Sequence, residues 1–283
     1  MNKIIYSRFD KSKIGELPRA TFPGRIVTIL SAGEAERAAD FLLTSDILGF
    51  DTETRPVFTK GNQRKVALLQ VSNRDTCFLF RLNRIGLCPA VKRLLEAEGP
   101  LKIGLSWHDD IASLRRRGEF ESRGFIDLQN CIGDLGIKDM SLAKLFANLF
   151  GQRISKREQL SNWEADVLSN KQKLYAATDA WACIMLYEEY LRLKETQDFF
   201  LEIVPEPEPP QQNQPKAEQS SEKSAKSKGK ASGKSTKSSG KNGEASAEND
   251  GSKKEKPKAR RTYKRKNTTK KKNDNDELQE RIS

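Results

Sequence analysis

The stretch 47-ILGFDTETRP-56 is an apolar run that ends in two carboxylates, Asp51 and Glu53, one residue apart. Ile47, Leu48 and Phe50 suit a pleated, buried strand. Successive side chains of a strand alternate faces, so Asp51 and Glu53 share one face and Thr52 takes the other. Two neighbouring carboxylates repel unless something positive lies between them. A divalent cation that accepts hard oxygen ligands, magnesium or manganese, meets that need. The same D-x-E string also reads as a solvated strand end before a turn.

Outward from this strand, the pattern is that of an α/β domain. The preceding segment SAGEAERAADFLL (31–43) carries Ala and Leu at helical spacing behind a Ser cap. The following KVALLQVSN (65–73) and TCFLFRL (76–82), separated by the turn-like NRD, complete a three-strand meander. From Cys88, short strands and helices alternate. CPAVKRLLEAEG (88–99) is a helix with Pro near its start, LKIGLS (101–106) a strand, WHDDIASLRRRG (107–118) a helix, and FIDLQN (125–130) begins as a strand. SLAKLFANLFG (141–151) is a helix ended by Gly151, and NKQKLYAATDAWACIMLYEEYLRLK (170–194) is the longest helix. This order predicts a central mixed sheet flanked by helices over residues 25–200. Residues 1–24, broken by Pro18 and Pro23, read as a loosely structured lead-in.

Charge and apolar content are unevenly spread along the 283 residues. Residues 205–283 carry +9 of the net +12 and almost no apolar residues. Such a segment cannot bury enough surface to offset the entropy of ordering, so 201–283 reads as a disordered, Lys-rich C-terminal tail. No stretch approaches the ~18 apolar residues that cross a bilayer, and the N-terminus lacks the apolar core of a signal peptide. The expectation is a soluble cytoplasmic protein without a membrane partner. Cys77, Cys88, Cys131 and Cys183 form no C-x-x-C pair and sit in apolar contexts, which points to buried free thiols rather than zinc ligands or disulfides.

Two further acids stand out. Tyr175 and Asp179 are four apart, on one helical face, in a segment otherwise rich in Ala. In SWHDDIASLRRR, Ser106 caps a helix in whose first turn Asp109 can reach the free backbone amides, while Asp110 lies on the side of Ile111 and Leu114. Asp109 is therefore expected to cap and Asp110 to do chemistry.

D-x-E on a first strand, an Asp opening a middle helix, and Y-x-x-x-D on a late helix, in this order, resemble the DEDD superfamily of 3′-to-5′ exonucleases. Tyr four before the last Asp resembles its DEDDy branch, that of ribonuclease D and the exonuclease domain of the Werner syndrome protein. KIGLSWHDDIASL (102–114) and SNWEADVLSNKQKLYAATDAWA (161–182) carry the likeness beyond the acids. The resemblance implies a ribonuclease H-like fold and two magnesium or manganese ions held by Asp51, Glu53, Asp110 and Asp179. It also implies hydrolysis of DNA or RNA from the 3′ end. Tyr175 would orient the attacking water, with Glu53 as that water's second contact, because a phenol with an ordinary pKa near 10 is a poor base. An inactive nucleic-acid-binding protein of the same fold is the alternative, and intact acids at all four positions weigh against it. His108 reads as a helix-start residue, Trp107 and Trp163 as packing ahead of base stacking, Asp127 as a helix cap, and Lys156, Lys171 and Lys173 as a solvated face ahead of phosphate contact.

Overall fold

The computed structural model describes residues 3–58 and 64–205. Strands β1 (Lys3–Tyr6), β2 (Arg25–Ile29), β3 (Ile47–Glu53), β4 (Leu68–Ser72), β5 (Thr76–Phe80), β6 (Leu101–Gly104), β7 (Phe125–Asp127) and β8 (Phe199–Glu202) alternate with helices α1 (Ala32–Leu42), α2 (Leu82–Ile85), α3 (Pro89–Glu96), α4 (Trp107–Arg115), α5 (Leu128–Cys131), α6 (Leu142–Phe150) and α7 (Asn170–Thr196). Six strands form one mixed sheet in the order β2-β5-β4-β3-β6-β7, and β1 with β8 forms a separate parallel pair. The pairs β3-β4 and β4-β5 are antiparallel, which gives the meander. The pairs β2-β5, β3-β6 and β6-β7 are parallel. The fold is the α/β, ribonuclease H-like arrangement with helices on a mixed sheet.

Strand β3 lies centrally, and its alternation separates two cores. Leu48 and Phe50 join Trp107, Leu114 and the apolar faces of α1 and α3, whereas Ile47 joins Ile103 and the apolar side of α7. Phe50, Trp107 and Phe125 pack ring against ring, which clamps α4 onto the first of these faces. On the other face α7 crosses β3 very closely. A Cβ built on Gly49 would lie 1.9 Å from the carbonyl oxygen of Ala180, so only glycine permits the approach. Small residues on the facing side of α7, Ala176, Ala177 and Ala180, are fully buried there. Both capping boxes that start long helices are present, at Ser31 with Glu34 and at Ser169 with Gln172.

The structure departs from the sequence reading at the N-terminus. Residues 3–24 are not a loose lead-in. Strand β1 pairs with β8, Ile5 is fully buried, and the side chain of Asn148 on α6 brackets Tyr6 by accepting from its amide (2.9 Å) and donating to its carbonyl (2.7 Å). Further along, Ala20 N–H donates to Arg153 O at 3.0 Å. At the other end, β8 carries order past residue 200 to Glu202. The tail expected over 201–283 lies outside the described residues from 206 onward. Cys77 and Cys183 are buried free thiols as expected, but Cys88 and Cys131 are only half-buried. No helix among the described residues is long and apolar enough to cross a membrane.

Candidate active site

The expected site residues converge at the C-terminal end of β3. Gly49 admits α7 against the strand, and one residue before Ala180 on that helix stands Asp179. Carboxylate oxygens of Asp51, Glu53 and Asp179 all lie within 4.8 Å of one another. Glu53 and Asp179 are buried, at 8% and 5% exposure, so this is not a solvated strand end. They line a cavity of about 240 Å³ together with Thr52, Tyr175, Lys156 and Gln159.

Crowding three acids in a poorly hydrated place disfavours ionisation, first by burial and then by mutual repulsion. Glu53 is pushed up to about 10, by burial and by the charges of Asp51, Asp179 and Asp110. Burial, then Asp179 and Asp110, hold Asp51 well above the ordinary carboxylate range. Asp179 rises to about 7 through burial, against the hydrogen bond from the Tyr175 hydroxyl and the charge of Lys156, which both favour its ionised form. One buried oxygen of Asp179, Oδ1, has no hydrogen-bond partner among the described residues. Three converging hard oxygen donors, destabilised as anions, with an unpartnered buried oxygen among them, fit a divalent cation.

Asp110 arrives from the other side. Its helix α4 packs on the Leu48–Phe50 face of β3, and its carboxylate accepts a hydrogen bond from the Thr52 hydroxyl, which points to that same face. Burial raises Asp110 to about 6, partly countered by that bond. It is thus electrostatically coupled to Asp51 and Glu53 but stands apart from the group of three. Asp109 is exposed and does not cap α4. Asp127 takes that role: its carboxylate accepts from the amides of Ser106 (3.0 Å) and Trp107 (2.7 Å) while also capping its own helix through Gln129 N–H (3.0 Å). Ser106 itself is held at φ 59°, a left-handed conformation in which its side chain does not cap.

Tyr175 is buried at 7% exposure, its ring tilted 37° against that of Trp163 at 6.0 Å, one turn before Asp179. Its hydroxyl is pushed far above the ordinary phenol value by burial and by the charges of Asp179 and Glu53. It is a proton donor in this setting. It donates to the Asp179 carboxylate. Trp107 and Trp163 are packed away at 2% and 0% exposure, and His108 is exposed at the start of α4, as the sequence suggested. Lys156, a phosphate-contact candidate read first as a solvated face, is exposed and lines the acid cavity from the irregular segment before α7. Gln70, directly opposite Asp51 in the β3-β4 register and unnoticed in the sequence reading, is fully buried with neither side-chain polar atom paired among the described residues. No periodicity marks Lys156, because it sits in a loop. Only the register across two strands identifies Gln70.

A mixed sheet of this order, with acids on β3, α4 and α7 near one end of the central strand, places the chain with the DEDD-type exonucleases. The family model for 3′-5′ exonucleases matches residues 26–193, and the chain belongs to that family. It is 30% identical over 194 residues to the bifunctional 3′-5′ exonuclease/ATP-dependent helicase WRN of Mus musculus, covering 65% of this chain and 14% of that protein. It is 30% identical over 201 residues to a 3′-5′ exonuclease of Arabidopsis thaliana, covering 65% of this chain and 70% of that one. The solved EXO domain of Aedes aegypti Nibbler shares the fold, with a TM-score of 0.57 at 20% identity over 64% of this chain and 95% of that domain.

Proposed function

We propose that the chain is a metal-dependent 3′-to-5′ exonuclease acting on DNA or RNA. The observation that carries this reading is the meeting of Asp51, Glu53 and Asp179 within 4.8 Å in a buried, open-mouthed cavity. Asp51, Glu53 and Asp179 would hold one magnesium or manganese ion, and Asp110, across Asp51, would help hold a second. When bound, such ions lower the pKa of water and stabilise charge on the entering and leaving oxygens of a phosphodiester. The remaining work belongs to the chain. Tyr175 keeps its proton, so it donates to and orients the water or a phosphate oxygen instead of abstracting a proton. Its bond to Asp179 fixes that carboxylate's rotamer. Lys156, on the cavity wall, offers positive charge to a phosphate that would otherwise meet only acids. Asp127 fixes the start of α4 and hence the position of Asp110, while Thr52 fixes the rotamer of Asp110.

Oligonucleotides labelled at the 5′ end and incubated with magnesium or manganese test the reading. It expects a ladder shortened stepwise from the 3′ end, lost on chelation. Internal cuts, or no products with either metal, contradict it.

A further inference from the structure

Beside the acid cavity lies a second one of about 370 Å³, which shares Ile154 and Lys156 with it and is walled on its far side by Lys11 and Ile14 and on its near side by Lys144. We propose that this groove holds the phosphate and sugar of the nucleotide next to the one being removed, so that residues 3–24 build part of the substrate-binding surface. The inference rests on the exonuclease reading and extends it to a segment that lies outside the matched family residues 26–193.

Three observations support it. The groove adjoins the acid cavity, since Ser141, Ala143, Ile154 and Lys156 line both, and so it lies beside a strand whose terminal bond is at the acids. Its charge is complementary. Lys11 and Lys156 line it with no carboxylate among the described lining residues, and Lys144, paired with Asp139, completes the wall, whereas the neighbouring cavity is acidic. The next phosphate along the strand, which the cations at the acids do not neutralise, is attracted to these lysines. Finally, the wall is built rather than draped. The Asp139 carboxylate, 4% exposed, accepts from the Phe9 amide at 2.6 Å and from Lys144 Nζ at 2.7 Å, which ties the N-terminal segment to α6 at the groove. Lys138 N–H donates to Ser7 O at 2.8 Å, and Arg153 donates to Pro18 O (2.9 Å, amide) and Leu17 O (2.8 Å, Nε). Between these anchors, the 3-10 turn Lys11–Glu16 is capped by Asp10, which presents Lys11 and Ile14 to the groove and leaves Lys13 outside it. Ile14 and Ile154 give the sugar an apolar surface between the charged ends of the lysines.

The test compares the full chain with Lys11→Glu and Lys13→Glu, the same charge change on one exposed turn. The substrate is a 5′-labelled single-stranded tetranucleotide, too short to engage distant charge, at roughly physiological salt. Lys11→Glu should raise KM about fivefold to tenfold, the effect of reversing one charge near a phosphate through screened solvent, with kcat within twofold of the parent. Lys13→Glu should stay within twofold in both. The apparent affinity of Lys11→Glu should also lose about 0.7 from its slope against the logarithm of salt, one phosphate contact on a single strand. Equal effects of the two variants, or none for Lys11→Glu, would overturn the groove assignment while leaving the exonuclease reading intact. If the parent shows no turnover, that reading fails. Fluorescence anisotropy of the tetranucleotide with calcium then decides the groove by the same comparison of Kd values.

Discussion

Replacing Asp179 with Asn separates the two roles of the acid cluster, because it removes charge while keeping shape. Asp179 stands at about 7 in the folded protein against an ordinary 3.8, and burial is the main cause. A folded-state pKa raised in this way means that the proton binds more tightly in the native state than in the open chain. The associated stability is fully present below about pH 4 and is lost as pH rises through 7. Fully ionised, the difference corresponds to at most about 4 kcal/mol. Part of it is shared with Asp51 and Glu53, whose own upward shifts include the charge of Asp179. The metal-free parent should therefore lose stability between pH 5 and pH 8. In EDTA at pH 8, Asp179→Asn should be more stable by about 2 kcal/mol, a Tm gain of roughly 4–8 °C for a domain near 200 residues. At pH 5 the two should nearly coincide. Millimolar magnesium or manganese should raise the Tm of the parent more than that of the variant, which lacks one ligand of the ion between Asp51, Glu53 and Asp179, and this narrows the gap. Thermal unfolding at three pH values, with EDTA or metal, reads all of this. A variant less stable than the parent at pH 8 in EDTA, or equal stabilisation of both by metal, would refute the argument that these acids are held together for a cation.

Other substitutions probe single links. Asp110→Asn should reduce turnover by at least about 10²-fold, the scale of a lost site carboxylate, while Asp109→Asn, on the exposed side of α4, should stay near the parent in the same assay. Tyr175→Phe should leave metal-induced stabilisation in place and slow turnover by on the order of 10²-fold, measured as kcat at saturating oligonucleotide. Asp127→Ala removes two helix caps at once and should cost about 1–4 kcal/mol in urea unfolding, with activity falling as α4 loosens. Gly49→Ala places a methyl group against a backbone carbonyl that cannot swing away. It should destabilise by about 1–3 kcal/mol or more, with activity lost through displacement of α7, and Ser at this position should behave no better.

Much of this architecture can be read from residue patterns because the deciding signals are local. The β3–β5 meander follows from alternating apolar runs around turn residues, α1 from its capping box, and α7 from an Ala-rich face carrying Tyr175 and Asp179 in one stripe. What stays hidden depends on distant partners. Strands β1 and β8 are four residues each and carry no pattern of their own, yet they pair across almost the whole domain. Asp127 caps α4 from 20 residues away, so Ser106 and Asp109 in the local sequence suggest the wrong cap. Lys156 comes to the acids through an irregular segment whose path is set by packing around Trp163, and Lys11 through a turn anchored on α6. That Asp110 faces inward and Asp109 outward was within reach, since helical spacing sets it. The hydrogen bond of Asp110 to Thr52 was not, because the two lie on different elements 58 residues apart.

The most direct test of the central claim, that Asp51, Glu53 and Asp179 form a divalent-cation site, is anomalous diffraction from crystals of the protein soaked in manganese. The account predicts a strong anomalous peak bounded by oxygens of these three carboxylates, at the roughly 2.0–2.2 Å distances of a hard cation, and its disappearance in Asp179→Asn. A manganese peak elsewhere with none among the three acids, or one that persists unchanged in Asp179→Asn, would contradict it.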